Sequence, residues 1–184
     1  GVLMEVTPLF IPEVKLIKLD AFADERGCFT VHWHEEQFKD AVDGHTFRQD
    51  SFVTSVPHVV RGLHYQLPPY AQGKLVRCLS GSIQDVAVDI RMSSPTFGMW
   101  VDVHLHAHEN EALWIPPGFA HGYASLSEGA TVLYKITEIY TPSHEHSLLW
   151  NDRYIDILWN IPSNPIVSEK DSKGLPLTEA PMFD

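Results

Sequence analysis

Four side chains of chemical interest lie in short stretches that otherwise suit β-strands: His64 in RGLHYQ, Lys74 in KLVRCL, and Tyr134 and Tyr140 in TVLYKITEIY. A proton on a carbon beside a ketone is weakly acidic. Its removal needs a base with a pKa near the working pH, and a cation or donor at the oxygen where negative charge develops. Histidine fits the first task and lysine the second. Taken singly, a strand histidine is more often structural, and a lysine is more often a solvated surface group. Their company within residues 61–77, RGLHYQLPPYAQGKLVR, points instead to proton transfer at an activated carbon.

Two further stretches can serve such a site. SEKDSKGLPL (residues 168–177) carries Lys170, able to meet a phosphate, and Asp171, able to hold the His64 ring in one tautomer. By composition alone this stretch is a solvated loop. WIPPGFAHGYASL (residues 114–126) joins a Pro-Pro-Gly turn to a strand that opens with His121. At the mouth of a barrel, His121 can bind phosphate or sugar. Metal binding is the competing chemistry. Gly98, His104, His106, Glu111 and Gly118 fit the first cupin metal signature, and His104, His106 and His108 fall on one strand face. The second cupin motif, P-x-G-x2-H, occurs only as Pro116, Gly118 and His121, inside the tail of the first match. One segment cannot supply both motifs. The expectation is therefore no metal, with the three histidines on an outward face.

The elements must gather these groups. In a strand, residues two apart share a face. His64 and Gln66 then point one way, as do Lys74, Val76 and Cys78, and as do Tyr134, Ile136, Glu138 and Tyr140. A barrel interior can collect His64, Lys74, Tyr134 and Tyr140. Strand candidates are VVRGLHYQ, KLVRCL, IQDVAVDI (residues 83–90), EALWIP, HGYASL and TVLYKITEIY (residues 131–140), punctuated by Pro and Gly. The clearest helix candidate is HEEQFKDAV (residues 34–42). Many short strands with little helix predict an all-β sandwich or barrel. With 184 residues, no repeat and no linker, one domain over residues 1–184 is expected.

The net charge of −11 repels nucleic acid and anionic membrane. It would repel an anionic substrate too, unless the few cations gather in one cleft. Arg26, Arg61, Lys74 and Lys170 stand beside the motifs. No apolar run reaches the length of a membrane span, and the first residues do not read as a signal peptide. Cys28 and Cys78 form no framework and read as reduced, buried thiols. These features predict a cytoplasmic protein.

The stretches DERGCF, FRQDS, RGLHYQ, AQGKLVR, DVAVDIR, SPTFG, IPPGFAHGY, YKITEIY, WND and SEKD, in this order and spacing, resemble the dTDP-4-dehydrorhamnose 3,5-epimerase family. The resemblance runs nearly end to end. It implies a cupin-like jelly roll, a double-stranded β-helix with short helices, and an epimerase of a dTDP-4-keto-6-deoxyhexose that needs no metal or other cofactor. Gln66 then stands where a cupin often has a histidine. The resemblance implies that His64 is the base, Asp171 its partner, Lys74 the group at the C-4 enolate oxygen and Tyr134 the acid on the opposite ring face. It makes Tyr140 a second wall near C-5. It gives Arg26, Phe29, Gln49, Asp50, Arg61, His121, Glu145 and Lys170 to substrate binding, the cations favouring the diphosphate. It also implies a homodimer with exchanged N-terminal strands, in which Arg26 serves the neighbouring site. Two positions depart from the family pattern. Val31 replaces a glutamate and Ser51 an asparagine, both near the nucleotide grip. They bear on which nucleotide binds and on whether C-3, C-5 or both are inverted.

Overall fold

The computed structural model describes residues 4–184. Its spine is a pair of long antiparallel strands, β7 (Lys74–Asp89) and β10 (Phe119–Ile136). Each is bent, and its two halves belong to different sheets. The first half of β7 pairs with β9 (Glu111–Ile115), and the second half of β10 pairs with β5 (Gln49–Ser55). β9 continues the sheet through β2 (Lys15–Leu19) to β1 (Met4–Pro8). The second half of β7 pairs with β8 (Trp100–His106), and the first half of β10 with β6 (Val60–Gln66). β6 pairs in turn with β11 (Glu145–Ser147). The result is the expected all-β jelly roll of cupin type. KLVRCL and IQDVAVDI, expected as separate strands, are the two halves of β7. HGYASL and most of TVLYKITEIY are the halves of β10.

Glycines that read as strand breaks are corners. Gly81 has φ +71°, and a Cβ there would run into the carbonyl oxygen of Gly129 on the partner strand. The register of β10 against β7 shifts between Ser125 and Ala130, beside this corner. Only a residue without a side chain lets the two backbones turn together so closely.

Alternation along the strands sorts side chains between cores. Val76, Ile83, Ala87, Leu113, Phe119 and Val132 fill the space between the sheets. Val86 and Val88 face the other way, where Leu148, Ile155 and Ala180 cover them. Leu75, Ala112 and Trp114 lie under Phe38, Ala41 and Val42. Both faces of the central strands are thus apolar, each fully buried aliphatic side chain contributing about 1.5–3 kcal/mol.

Several expectations are corrected. The helix over 34–42 is one turn, α1 (Glu35–Phe38). It passes into turns that end at Asp43 and Gly44, both with positive φ, while Phe38, Ala41 and Val42 still dock on the sheet. β10 stops at Ile136, so Tyr140 is not on its face. His108 lies in the turn after β8, because only Trp100–His106 finds a ladder partner on β7. His104 and His106 are exposed, with Val101, Val103 and Leu105 turned inward. Cys78 is buried, but Cys28 is exposed on β4 (Gly27–Thr30). β4 forms a separate two-stranded hairpin with β3 (Ala21–Asp24), packed too thinly to cover it. Among the described residues no helix is long and apolar enough to cross a membrane.

Candidate active site

The bend in the spine sets two walls against each other. His64 projects from β6 in one sheet, and Lys74 and Tyr134 project from β7 and β10 in the other. Between them lies a chamber of about 290 Å³, lined also by Gln49, Ser51, Gln72, Tyr140 and Glu145. A recess of about 120 Å³ adjoins it. The recess shares His64, Lys74 and Tyr134 and adds Arg61, His121 and Tyr123.

His64 is held from outside the barrel. Its Nε2 lies 2.6 Å from Asp171 Oδ1, and the second carboxylate oxygen of Asp171 accepts the Gly62 N–H at 3.0 Å. Asp171 sits on α2 (Glu169–Ser172), one turn begun by Ser168, whose Oγ accepts the Asp171 N–H. The flanks of this turn are tied to the barrel edge. The Val60 N–H donates to the Ile166 carbonyl at 3.0 Å, and the Leu149 N–H to the Leu175 carbonyl at 2.8 Å. Gly62 has φ +114°, and a Cβ there would stand 2.7 Å from the Gly122 Cα. Glycine is required for β6 to approach β10 while turning its N–H to Asp171. Burial works to raise the Asp171 pKa, but the hydrogen bond and charge of His64, the Gly62 N–H and Lys170 together hold it below the usual carboxylate value. Asp171 is therefore an anion at neutral pH. It accepts Nε2–H and leaves the Nδ1 lone pair as the basic site of the ring.

Across the chamber, burial pulls the Lys74 pKa down to about 8, against the opposing pull of Glu145 and Asp85. The ammonium is still the main form at pH 7. Lys74 Nζ stands 5.9 Å from the centroid of the Tyr134 ring. Burial raises the Tyr134 pKa, only partly offset by its contact with Ser51, so the phenol keeps its proton. Tyr140 reaches the chamber from the segment after β10. Its N–H donates to Gln49 Oε1 at 3.2 Å. Gln66 fixes the same segment, donating to the Tyr70 and Ile139 carbonyls and accepting the Thr141 N–H.

The remaining expected residues divide. Gln49, Arg61 and Glu145 line the cavities, and Lys170 pairs with Glu145. His121 also lines the recess, but it is not at a mouth. It is buried 2.5 Å from Asp85 Oδ1, since the strand opens two residues earlier at Phe119 and carries it inward. Burial lowers its pKa, with Asp85 opposing. Asp50 faces away from the chamber and meets Lys135 at 2.9 Å. Arg26 and Phe29 lie on the exposed hairpin, Arg26 paired with Asp24. Gln72, Asp85 and Tyr123 were not expected at the site, and Ser51 was expected only as a departure near the nucleotide grip. Alternation from Gln49 places Ser51 inward and Asp50 outward, and alternation from Ile83 places Asp85 inward. Applied to those segments, the same rule finds three of these residues. Gln72 precedes its strand and carries no such signal.

The histidines of the cupin signature are elsewhere. His104 Nε2 meets Asn160 Nδ2 at 2.8 Å on the outer side of β8. Among the described residues, no group of three His, Cys, Asp or Glu side chains could hold a metal ion.

A jelly roll enclosing a carboxylate-held imidazole, a buried lysine and a protonated phenol defines an isomerase of the cupin-like, proton-transferring kind. The profile of the dTDP-4-dehydrorhamnose 3,5-epimerase family matches residues 8–179. The chain is 47% identical over 181 residues to the dTDP-4-dehydrorhamnose 3,5-epimerase of Shigella flexneri, covering 98% of this chain and 99% of the relative. It is 35% identical to a dTDP-4-dehydrorhamnose 3-epimerase of Streptomyces niveus, covering 96% of this chain and 86% of the relative. A 3,5-epimerase of Legionella pneumophila Philadelphia 1, solved with dTDP-4-keto-L-rhamnose, superposes with TM-score 0.92 at 40% identity, covering 96% and 94% of the two chains. This chain belongs to the dTDP-4-dehydrorhamnose 3,5-epimerase family and is an isomerase of deoxysugar biosynthesis.

Proposed function

We propose that the chain inverts both C-3 and C-5 of a dTDP-4-keto-6-deoxyhexose, with His64 as base and Tyr134 as acid. The observation that carries this reading is His64 on one sheet, held by Asp171 from α2, facing Lys74 and Tyr134 on the other sheet. His64 Nδ1 takes the proton from the carbon beside the ketone. The electron pair moves onto the C-4 oxygen, where the Lys74 ammonium meets the charge. Tyr134 then delivers its phenolic proton to the opposite face of the same carbon. Exchange with solvent returns a proton to Tyr134 and removes one from His64. Arg61 and Lys170 are the cations placed to take the diphosphate, and Gln49, Tyr140 and Glu145 line its approach.

The chain works as a homodimer with exchanged N-terminal strands, in which Arg26 and Phe29 complete the partner's site. What supports this is the β3–β4 hairpin, with Phe22 and Phe29 exposed at 55% and 65%. Large apolar side chains on such a thin projection are more stable when a second surface covers them.

The test is incubation with dTDP-4-keto-6-deoxyglucose in deuterated water, followed by NMR. Deuterium should enter at C-3 and C-5 with inversion at both. His64→Ala should abolish exchange at both carbons, a loss of about 10²–10⁴-fold in rate. Exchange at C-3 alone makes the chain a 3-epimerase. Near-normal exchange in folded His64→Ala rejects the base assignment.

A further inference from the structure

We infer that Ser51 is a positioning residue for the acid: its hydroxyl donates to the Tyr134 oxygen, aims the phenolic proton into the chamber and holds the phenolate once that proton has gone. This inference rests on the function proposed above. Ser51 and Tyr134 stand directly opposite each other across β5 and β10, and Gln49 stands opposite Ile136 two residues along. Gln49, Ser51 and Tyr134 therefore share the inward face, and all three line the chamber. The Ser51 and Tyr134 side chains are in hydrogen-bonding contact. Neither residue is sealed in the core, since both are only partly buried.

The direction of these hydrogen bonds follows from one fixed donor. The Tyr140 backbone N–H can only donate, and it lies 3.2 Å from Gln49 Oε1. The Gln49 amide therefore turns its nitrogen the other way, where Nε2 donates to Ser51 Oγ at 3.3 Å. A serine hydroxyl has one proton to give. With its oxygen already accepting from Gln49, that proton goes to the Tyr134 oxygen. The phenolic proton of Tyr134 then points away from Ser51 and into the chamber. Inversion consumes this proton. The C=C pair of the enolate takes it up as a new C–H bond, the C-4 oxygen re-forms the carbonyl, and Tyr134 is left as a phenolate. Ser51 keeps its own proton and meets the new charge, while solvent reprotonates Tyr134. A hydrogen bond to an ion is stronger than one to a neutral group, so this contact favours the phenolate, against the burial that raises the Tyr134 pKa. Arg61 also favours it, but through charge alone. Its guanidinium donates to Ser55 Oγ at 2.9 Å and to the Thr54 carbonyl at 3.3 Å.

Ser51→Ala removes the donor and keeps the strand. The assay is incubation with dTDP-4-keto-6-deoxyglucose in deuterated water, with deuterium exchange and inversion followed together by NMR at each carbon that the wild type inverts. Exchange, which needs only His64 and Lys74, should stay near the wild-type rate. The ratio of inversion to exchange should fall about ten- to hundredfold, the range of one hydrogen bond to a charged group. Ser51→Thr keeps the hydroxyl and should restore the ratio. An unchanged ratio in Ser51→Ala overturns the inference. So does an equal fall in exchange and inversion, which marks lost substrate binding or lost structure. Ser51→Thr with the ratio of Ser51→Ala overturns it as well, because the hydroxyl is then not the operative group. Wild-type protein that turns over no dTDP-4-keto-6-deoxyhexose rejects the proposed function itself. Active wild type with an indifferent Ser51→Ala rejects only the role of Ser51.

Discussion

At the scale of single residues, inversion depends on keeping two proton carriers apart. A base that takes a proton and returns it to the same face inverts nothing. Tyr134 is the donor on the other wall, and burial keeps its phenol protonated. Tyr134→Phe should still exchange deuterium through His64, yet form little epimer. Exchange and inversion should separate in this variant and in no His64 variant. Wild-type rates of inversion in Tyr134→Phe would move the acid role to Tyr140, which lines the same chamber. Lys74 sets the alkaline limit. Its pKa of about 8 means that the ammonium at the enolate oxygen is lost as pH rises past that value. Log kcat/KM should fall above about pH 8 with unit slope. Stability moves the other way. A lysine whose folded pKa lies below its unfolded value costs stability while protonated, fully so below pH 8, and the cost fades as pH climbs toward 10.5. The alkaline loss of activity is therefore not unfolding through this residue. A profile flat to pH 10 would mean that Lys74 stays charged or is not needed.

At the scale of elements, the site exists because β7 and β10 each bend once and serve two sheets. The corner at Gly81 is the most exacting point of that bend. Gly81→Ala places a side chain against the Gly129 backbone, in a left-handed conformation that alanine resists. It should lower stability by more than about 2 kcal/mol, read from urea denaturation. An unchanged midpoint would show that the corner relaxes freely. The same logic explains how much of the architecture was legible. KLVRCL and HGYASL are strand throughout, IQDVAVDI as far as Asp89 and TVLYKITEIY as far as Ile136. That they join in pairs was not legible, because glycine marks a break and a corner alike. The helix over 34–42 shrank to one turn because docking of Phe38, Ala41 and Val42 on the sheet, rather than helical propensity, decides that segment.

At the scale of the whole molecule, a chain of net charge −11 must still admit a diphosphate. Arg61 and Lys74 line the two cavities and Lys170 pairs with Glu145 at their edge, while Arg26 projects 85% exposed on a hairpin whose own groove is lined by hairpin residues and by none of the chamber's. If Arg26 completes the partner's site, two damaged chains can repair each other. Arg26→Ala and His64→Ala proteins, each with little activity, should regain up to about a quarter of wild-type activity when co-refolded at equal amounts. In the mixed dimer one site then receives His64 from one chain and Arg26 from the other. No recovery, with dimers formed, would place Arg26 at its own chain's site or at none.

The sequence by itself determined the residue types and their local faces. The period of two put His64 with Gln66, Lys74 with Val76, and His104 with His106 on a face opposite Leu105, and backbone geometry makes that sorting local. Ten ordered motifs also carried the family. Only the tertiary structure decided who meets whom. Asp171 reaches His64 across 107 positions, because the chain ends flanking α2 pair with the barrel edge. His121 sank beside Asp85, because strand register and burial set its depth. Tyr140 entered the chamber from a loop that Gln66 holds, not from the strand face that alternation assigned. Such meetings depend on contacts between residues far apart in sequence, and no local pattern records them.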